Sequence, residues 1–295
     1  MHRVLLAGLT VKGKGPMAEL GRESMNRAEL RQLIKIDEVK MKSYHFKPAG
    51  CVEDYFTALK LVQDVYIQEG YVNPAESACR YRILENHFLE ETAVFIGKKN
   101  KEMVFTVSLF PDSTHGLPMD RIYKKDLDHL RIQGRRIGEV GCLATHPEFR
   151  DGSQNILMHG NKIMLKYAME YLHLDDLVIT VHPKHALIYK EVLMFEEIGQ
   201  GEIKAYPKVN NNPAIALRLN LHDVEEKYRH FYQDNSPETN LHHFLFVKQN
   251  ANLQLPENNK AMCNHFYNFF TSSIQDGNYY GLLEQADAFW PVSAG

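Results

Sequence analysis

The chain has 295 residues, of which 44% are hydrophobic and 24% charged, enough apolar content for one large core or two modest ones. A formal net charge of −3 argues against nucleic-acid binding, which draws on strongly basic domains. Four scattered cysteines (Cys51, Cys79, Cys142, Cys263) form no C-x-x-C pair, which argues against a disulfide framework or a zinc cluster and points to a reducing compartment. No apolar stretch approaches the roughly 20 residues of a membrane span. The apolar run from Val4 to Leu9 is also shorter than a secretory signal requires, so a cytoplasmic protein is expected.

Residues 1–40 are weakly patterned and broken by Gly13, Gly15 and Pro16; they read as an N-terminal extension with a short helix over 27–36. Residues 43–47 (SYHFK) predict a first strand. Val52, Tyr55, Phe56, Leu59, Val62 and Tyr66 then recur on one helical face, which Gly70 ends. Pro74 opens a second predicted helix running to 89. Residues 92–97 (TAVFIG) and 103–110 (MVFTVSLF), joined by KKNKE, predict a hairpin. The connection from Pro111 to Arg136 is long and charged, with a predicted helix over 124–130. Connections of that length often carry binding residues.

Residues 137–145 predict the next strand, bounded by Pro147. A turn containing Asp151, Gly152 and Ser153 follows, where free backbone N–H groups and a helix dipole would meet an anion. Beyond it, Ile156, Gly160, Ile163, Met164, Tyr167, Ala168 and Tyr171 share one helical face, and His159, Lys162, Lys166 and Glu170 line the opposite one. A buried strand over 177–181, a short helix over 186–193, a short strand over 195–199 and an alternating strand over 215–221 follow in turn. From His222 the texture changes to helical stretches rich in histidine and aromatics, including Phe266, Tyr267, Phe269, Phe270, Tyr279 and Tyr280. The expected organisation is an extension over 1–40, a core over 41–221 and a C-terminal helical subdomain over 222–295.

This order of elements, with a carboxylate in the 137–145 strand and HPKHALIYKEVLMFEEIG after the 177–181 strand, resembles the GCN5-related N-acyltransferase fold. That fold is α/β, a central mixed sheet flanked by helices, here with an added C-terminal helical region. Within the superfamily, residues from about Tyr44 to Leu221 are similar to the long-chain N-acyl amino acid synthases, relatives of the acyl-homoserine-lactone synthases. DVYIQEGYV, GLPMDRIYKKDLDHLRIQGRRIGEVGCLA and HPKHALIY…MF carry the similarity. It implies an enzyme that moves a fatty acyl group from a thioester to the α-amine of a small amino acid acceptor, with no permanently bound cofactor.

Acetyltransferases of this fold wrap the pyrophosphate of acetyl-CoA in a Q/R-x-x-G-x-G/A turn. Here Arg150, Ser153 and Asn155 stand at those positions, so both glycines that let a backbone approach phosphates are missing. With the resemblance, this departure implies the phosphopantetheine arm of an acyl carrier protein as donor rather than CoA. The Glu-x-Ser-Arg signature of acyl-homoserine-lactone synthases falls on Glu139, Gly141 and Cys142, without its Ser and Arg. A CoA-dependent N-acyltransferase and an idle copy of the fold acting as a binding module are the alternatives.

Making an amide from a thioester needs a neutral amine, a stabilised oxyanion and a proton for the departing thiolate. Glu139 is the candidate base, directly or through a water, because burial raises a carboxylate pKa toward the working range. Its structural alternative is an ion pair with Arg135 or Arg136. The resemblance implies that backbone N–H groups of Cys142, Leu143, Ala144 and Thr145 hold the thioester carbonyl, and that Arg150, Ser153, Gln154 and Asn155 form the donor turn. It also implies that Tyr189 protonates the thiolate; the alternative is a core tyrosine with its hydroxyl satisfied. Arg82 is the candidate for the acceptor carboxylate, by bidentate pairing.

Cys142 has no spacing to His146, His182 or His185 that favours a nucleophile over a buried, inert thiol. The H-x-x-H of His182 and His185 is a chance pair among 15 histidines, so no metal is expected. Arg150, Lys162, Lys166, Lys184 and Lys190 form either a basic rim for an acidic carrier protein or, for Lys162 and Lys166, an ordinary solvated helix face.

Overall fold

The computed structural model describes residues 27–74, 80–89, 91–150 and 154–255. Among these residues, eight strands occur in the order β1 (Tyr44–Pro48), β2 (Ala93–Lys99), β3 (Glu102–Pro111), β4 (Ile137–Thr145), β5 (Asp176–Val181), β6 (Glu196–Glu197), β7 (Lys204–Tyr206) and β8 (Asn212–Asn220). They form one sheet, β1-β2-β3-β4-β5-β8-β6, with β7 paired to the other end of β8. Every pair is antiparallel except β4 with β5.

Two apolar cores flank the sheet, so the central strands are apolar on both faces. Period-two alternation sends Val178 into one core and Leu177, Ile179 and Val181 into the other. Helices α3 (Val52–Gln68) and α4 (Asp120–Ile132) pack on the first face. The second carries α5 (Asn155–Lys166), α6 (Pro183–Glu191) and α7 (Val224–Tyr232), together with residues of the short α1 (Arg27–Arg31) and α2 (Glu38–Met41). Gly160 lets α5 lie close against β3: a Cβ there would sit 2.1 Å from the Phe105 ring.

Three local expectations change. Among the described residues of the helix expected from Pro74 to 89, 80–84 are not helical and Glu85–Phe88 form a 3-10 turn. Its backbone groups find other partners: Arg82 N–H donates to Leu59 O, and Leu84 N–H donates to His87 Nδ1. Downstream of α5, the last turns widen into a π-helix, Tyr167–Tyr171. The three-residue β7 and four-residue α2 were too short to leave a periodic signature.

The second face of α5 is the larger correction. His159 and Lys162 are buried, not solvated, and Lys162 is only 2% exposed. Its ammonium donates to Phe244 O, to Lys248 O at 2.6 Å and to Asn250 Oδ1 at 2.6 Å, and lies 4.7 Å from the Phe244 ring centre. Asn155 Oδ1 accepts from Asp37 N–H at 2.6 Å while its Nδ2 donates to Lys35 O at 3.0 Å. Segments from both ends of the described chain thus cover this helix. Leu30, Ile34, Leu241 and Phe244 belong to the same buried cluster as Ile163. Lys166 and Glu170 keep the expected solvated role, paired with each other.

Residues 252–254 run alongside β1, where Phe46 N–H donates to Asn252 O and Gln254 N–H to Phe46 O. Asp151, Gly152 and Ser153, and the aromatic stretch from Phe266 to Tyr280, lie outside the described residues. No helix among the described residues is long and apolar enough to cross a membrane.

Candidate active site

The sheet opens at one point. Parallel pairing of β4 with β5 covers Ile137–Asp176, Gly138–Leu177 and Glu139–Val178, and stops there. Beyond Glu139 the two strands diverge. On its other side β4 stays paired to β3, but the register passes from Ser108–Gly141 to Thr106–Ala144. Cys142 and Leu143 therefore oppose the single residue Val107, a β-bulge. Cys142 takes φ of 49°, a left-handed conformation unusual outside glycine.

A cavity of about 140 Å³ passes through this fork, with residues of both cores on its walls. On the α3 face it is bounded by Tyr66, Tyr71, Arg82, Tyr206 and Lys208; on the α5 face, by Met158, Met164, Leu177, Ile179, Phe195 and Leu219. Among the described residues, the only Asp, Glu, Lys or Arg on its walls are Arg82, Glu139 and Lys208. The long 111–136 connection contributes Pro118 to the wall and a donor to Glu139.

Glu139 sits at the branch point, 3% exposed. It makes no ion pair with the arginines considered from sequence: Arg135 binds Asp176, and Arg136 uses its backbone N–H on Asp175. Its Oε2 accepts from Met119 N–H at 2.7 Å, at the start of α4. Burial raises its pKa to about 8, outweighing that hydrogen bond and the nearby Lys208 charge.

Arg82 and Lys208 reach the cavity from loops. The Arg82 guanidinium donates through one Nη to Lys208 O and lies over the Tyr66 ring, 5.7 Å from its centre. Its Nε is buried with no partner among the described residues. Lys208 comes from a 3-10 turn, Pro207–Val209, closed by two left-handed asparagines, Asn210 and Asn211. Burial lowers the Lys208 pKa, opposed by Glu139 and Glu85. Lys208 gave no signal in the sequence, because a lone lysine in a three-residue turn after a three-residue strand has no pattern.

Cys142 lines the cavity as a thiol, its pKa pushed up to about 11 by burial. Behind it, His87 Nδ1 accepts from Leu84 N–H, so Nε2 carries the proton and donates to Ser108 Oγ at 3.1 Å. Burial pushes the His87 pKa down to about 3, which keeps it neutral. This buried chain of donors braces the bulge; Ser108 also hydrogen-bonds the thiol and favours its ionised form, but burial outweighs it.

Tyr189, on α6, reaches the cavity with its ring edge-on to Phe195, 5.6 Å between centres, and burial raises its hydroxyl pKa. Leu143 also lines the cavity, whereas Ala144 and Thr145 return to the ladder with β3. Arg150 turns toward the protein, donating to Thr145 O at 2.9 Å and to Glu69 Oε1 at 2.7 Å. Gln154 precedes α5 with φ of 60°. The amide of Asn155 is engaged by the 35–37 segment, so its side chain is not a donor contact. Outside the cavity, Glu102, His146 and Glu148 hold potential ligand atoms within 4.8 Å of one another, a grouping that sequence spacing did not reveal.

A family model for the N-acyl amino acid synthase FeeM matches residues 57–220. No curated protein matches the sequence. Among solved structures, FeeM, an N-acyl amino acid synthase from uncultured soil microbes, is similar over 62% of this chain and 93% of its own, at 28% identity and a TM-score of 0.52. BjaI, a CoA-dependent acyl-homoserine lactone synthase, aligns over 74% of this chain and 97% of its own, at 12% identity and a TM-score of 0.49. An N-acetyltransferase from Staphylococcus aureus Mu50 aligns over 61% and 98%, at 14% identity and a TM-score of 0.40. The fold is the GCN5-related N-acyltransferase fold expected from the sequence.

Proposed function

We propose a reaction for a chain that belongs to the FeeM family of N-acyl amino acid synthases and is therefore an N-acyltransferase: it moves a fatty acyl group from the phosphopantetheine thioester of an acyl carrier protein to the α-amine of an amino acid. The observation that carries this reading is the asymmetry of the cavity about Glu139. Two cations and three tyrosines stand on one side, and mainly apolar side chains on the other. The polar side suits a small zwitterion and the apolar side a hydrocarbon chain, with the buried carboxylate between them.

In this scheme Arg82 and Lys208 hold the acceptor carboxylate, Arg82 through the Nε that has no partner among the described residues. Glu139 takes the proton from the α-amine. A pKa of about 8 lies far closer to that of an amino-acid ammonium than the 4.5 of an ordinary glutamate does, which lowers the cost of the transfer. The amine nitrogen attacks the thioester carbon, and backbone N–H groups of the Cys142–Leu143 bulge receive the oxyanion. Collapse forms the amide and breaks the C–S bond; the second proton of the amine passes to the departing sulfur, which leaves as the thiol while a hydrogen bond from Tyr189 eases its departure. Arg150, Ser153 and Gln154 remain the proposed donor turn, through backbone groups, without the side chain of Asn155.

The test is mass spectrometry of lipid extracts from bacteria expressing the wild type or Glu139→Gln. N-acyl amino acids that appear with the wild type and fade with the variant support the reaction and the base. Purified donors then separate the two thioesters: turnover of acyl-CoA at the rate of the acyl-carrier-protein thioester would overturn the donor assignment. Absence of product from either purified donor would overturn the reaction.

A further inference from the structure

The apolar side of the cavity is lined in part by residues that lie beyond the segment matched to the FeeM family. That segment ends at residue 220, whereas Tyr228 and Leu245 both line the cavity. We propose that these two side chains form the end wall of the acyl pocket and set the length of chain the enzyme accepts, a role that rests on the acyltransferase reading above.

Neither residue is there by chance contact. Tyr228 lies on α7, which is pinned to the core by Tyr232, whose hydroxyl donates to Val192 O at 2.9 Å. Tyr228 stacks on Tyr232 with ring centres 5.6 Å apart and meets the edge of Phe246 at 5.5 Å. Leu245 lies in a π-helix, His243–Val247, a geometry often found at functional positions. The backbone on either side of it is fixed by the buried ammonium of Lys162, through Phe244 O and Lys248 O. Lys162 stands on α5 between Met158 and Met164, which line the same cavity. One buried lysine thus ties the wall to the floor of the pocket.

The physical consequence is a stop. An acyl chain enters past the fork at Glu139 and extends among Leu177, Ile179 and Leu219 until it meets Tyr228 and Leu245. Lys162 is a positioning residue, acting through the 243–247 turn. A methylene more or less in an apolar pocket changes selectivity by roughly tenfold or more, so a fixed wall gives a sharp length cut-off.

The experiment measures thermal protection of the full chain by N-acyl amino acids of graded, straight acyl length, which needs no turnover. For the wild type, protection should rise with chain length and then fall abruptly. Leu245→Ala should move that fall to chains about two methylenes longer, roughly the space the substitution vacates. Leu245→Trp should move it to shorter chains, and Tyr228→Leu to longer ones. Tyr228→Leu also serves if the alanine variant fails to fold. A cut-off that stays at the wild-type length in every folded variant, or no length dependence in the wild type, overturns the wall. Product lengths from acyl-thioester turnover are read in parallel. Length-dependent protection without turnover would defeat the proposed reaction and leave the wall standing; turnover with an unmoved cut-off would do the reverse.

Discussion

The two ends of the cavity are built in opposite ways. On the α3 face its charged groups, Arg82 and Lys208, come from loops, and they project beside buried tyrosines. On the α5 face the wall is made of strand and helix side chains, sealed from outside by segments from both ends of the described chain. The first end is made for a ligand whose charges need partners. The second is made for one that needs only room, where dispersion and exclusion of water act without direction. Glu139 is the carboxylate where the two meet, and burial there raises its pKa.

The largest test of this contrast is at the junction. Glu139→Gln keeps the shape and the capacity to accept from Met119 N–H while removing the base, so kcat should fall by about 10²–10⁴-fold in a steady-state assay. The pH dependence has a definite sign. The wild-type rate should climb as pH rises through about 8, where Glu139 becomes a carboxylate, and the variant should retain only the ionisation of the amine. Stability runs the other way. A folded-state pKa raised from 4.5 to about 8 means a contribution fully present below pH 4.5 and lost as pH rises through 8. The midpoint of unfolding of Glu139→Gln should therefore gain on that of the wild type as pH increases. Parallel stability curves for the two proteins would mean that Glu139 is not buried as a neutral acid.

The sealed end is tested by Lys162→Met. The substitution keeps the stem but leaves Phe244 O, Lys248 O and Asn250 Oδ1 without their shared donor, which should destabilise the fold by about 2–4 kcal/mol in denaturant titration. This residue also shows what the sequence could and could not convey. The strands were legible because alternation and apolar runs are local, and β4 and β5 fall within one residue of their expected ranges. The apolar stripe of α5 was legible for the same reason. Its polar stripe was misread because burial of Lys162 depends on carbonyls more than 80 residues away, which no helical period encodes. At the site, Glu139 stood out as a lone carboxylate in a strand, and Arg82 was singled out as a cation of the helix expected from Pro74, although the structure holds it on a loop. Lys208 did not stand out, since its position depends on how β7 pairs with β8.

The open end responds in binding before it responds in chemistry. Arg82→Met should raise KM for the amino acid by about 10–100-fold, the range of one charge-assisted hydrogen-bonded pair, with a smaller change in kcat. Lys208→Met should act in the same direction and less strongly, since burial already lowers its pKa. An amine lacking the carboxylate should be a poor acceptor for the wild type and lose little further with Arg82→Met. If both variants lowered kcat with KM unchanged, the two cations would be acting on the transition state instead of anchoring the acceptor.

The smallest effect is expected where the two halves share the leaving group. Burial raises the Tyr189 hydroxyl above its ordinary pKa of 10.0. A free thiol ionises near 8.5 or so, so full proton transfer from Tyr189 to the departing sulfur would run uphill. A hydrogen bond to the developing thiolate avoids that penalty, and the sulfur, already a good leaving group, gains modestly from it. Tyr189→Phe should therefore lower kcat by about tenfold or less, leaving KM for the amino acid and the acyl-length profile in place. Replacing the thioester by an oxygen ester, a worse leaving group, should make the same substitution cost more. If the loss were equal for both donors, the hydroxyl would be helping to hold the ring against Phe195, and the thiolate would leave without assistance from Tyr189.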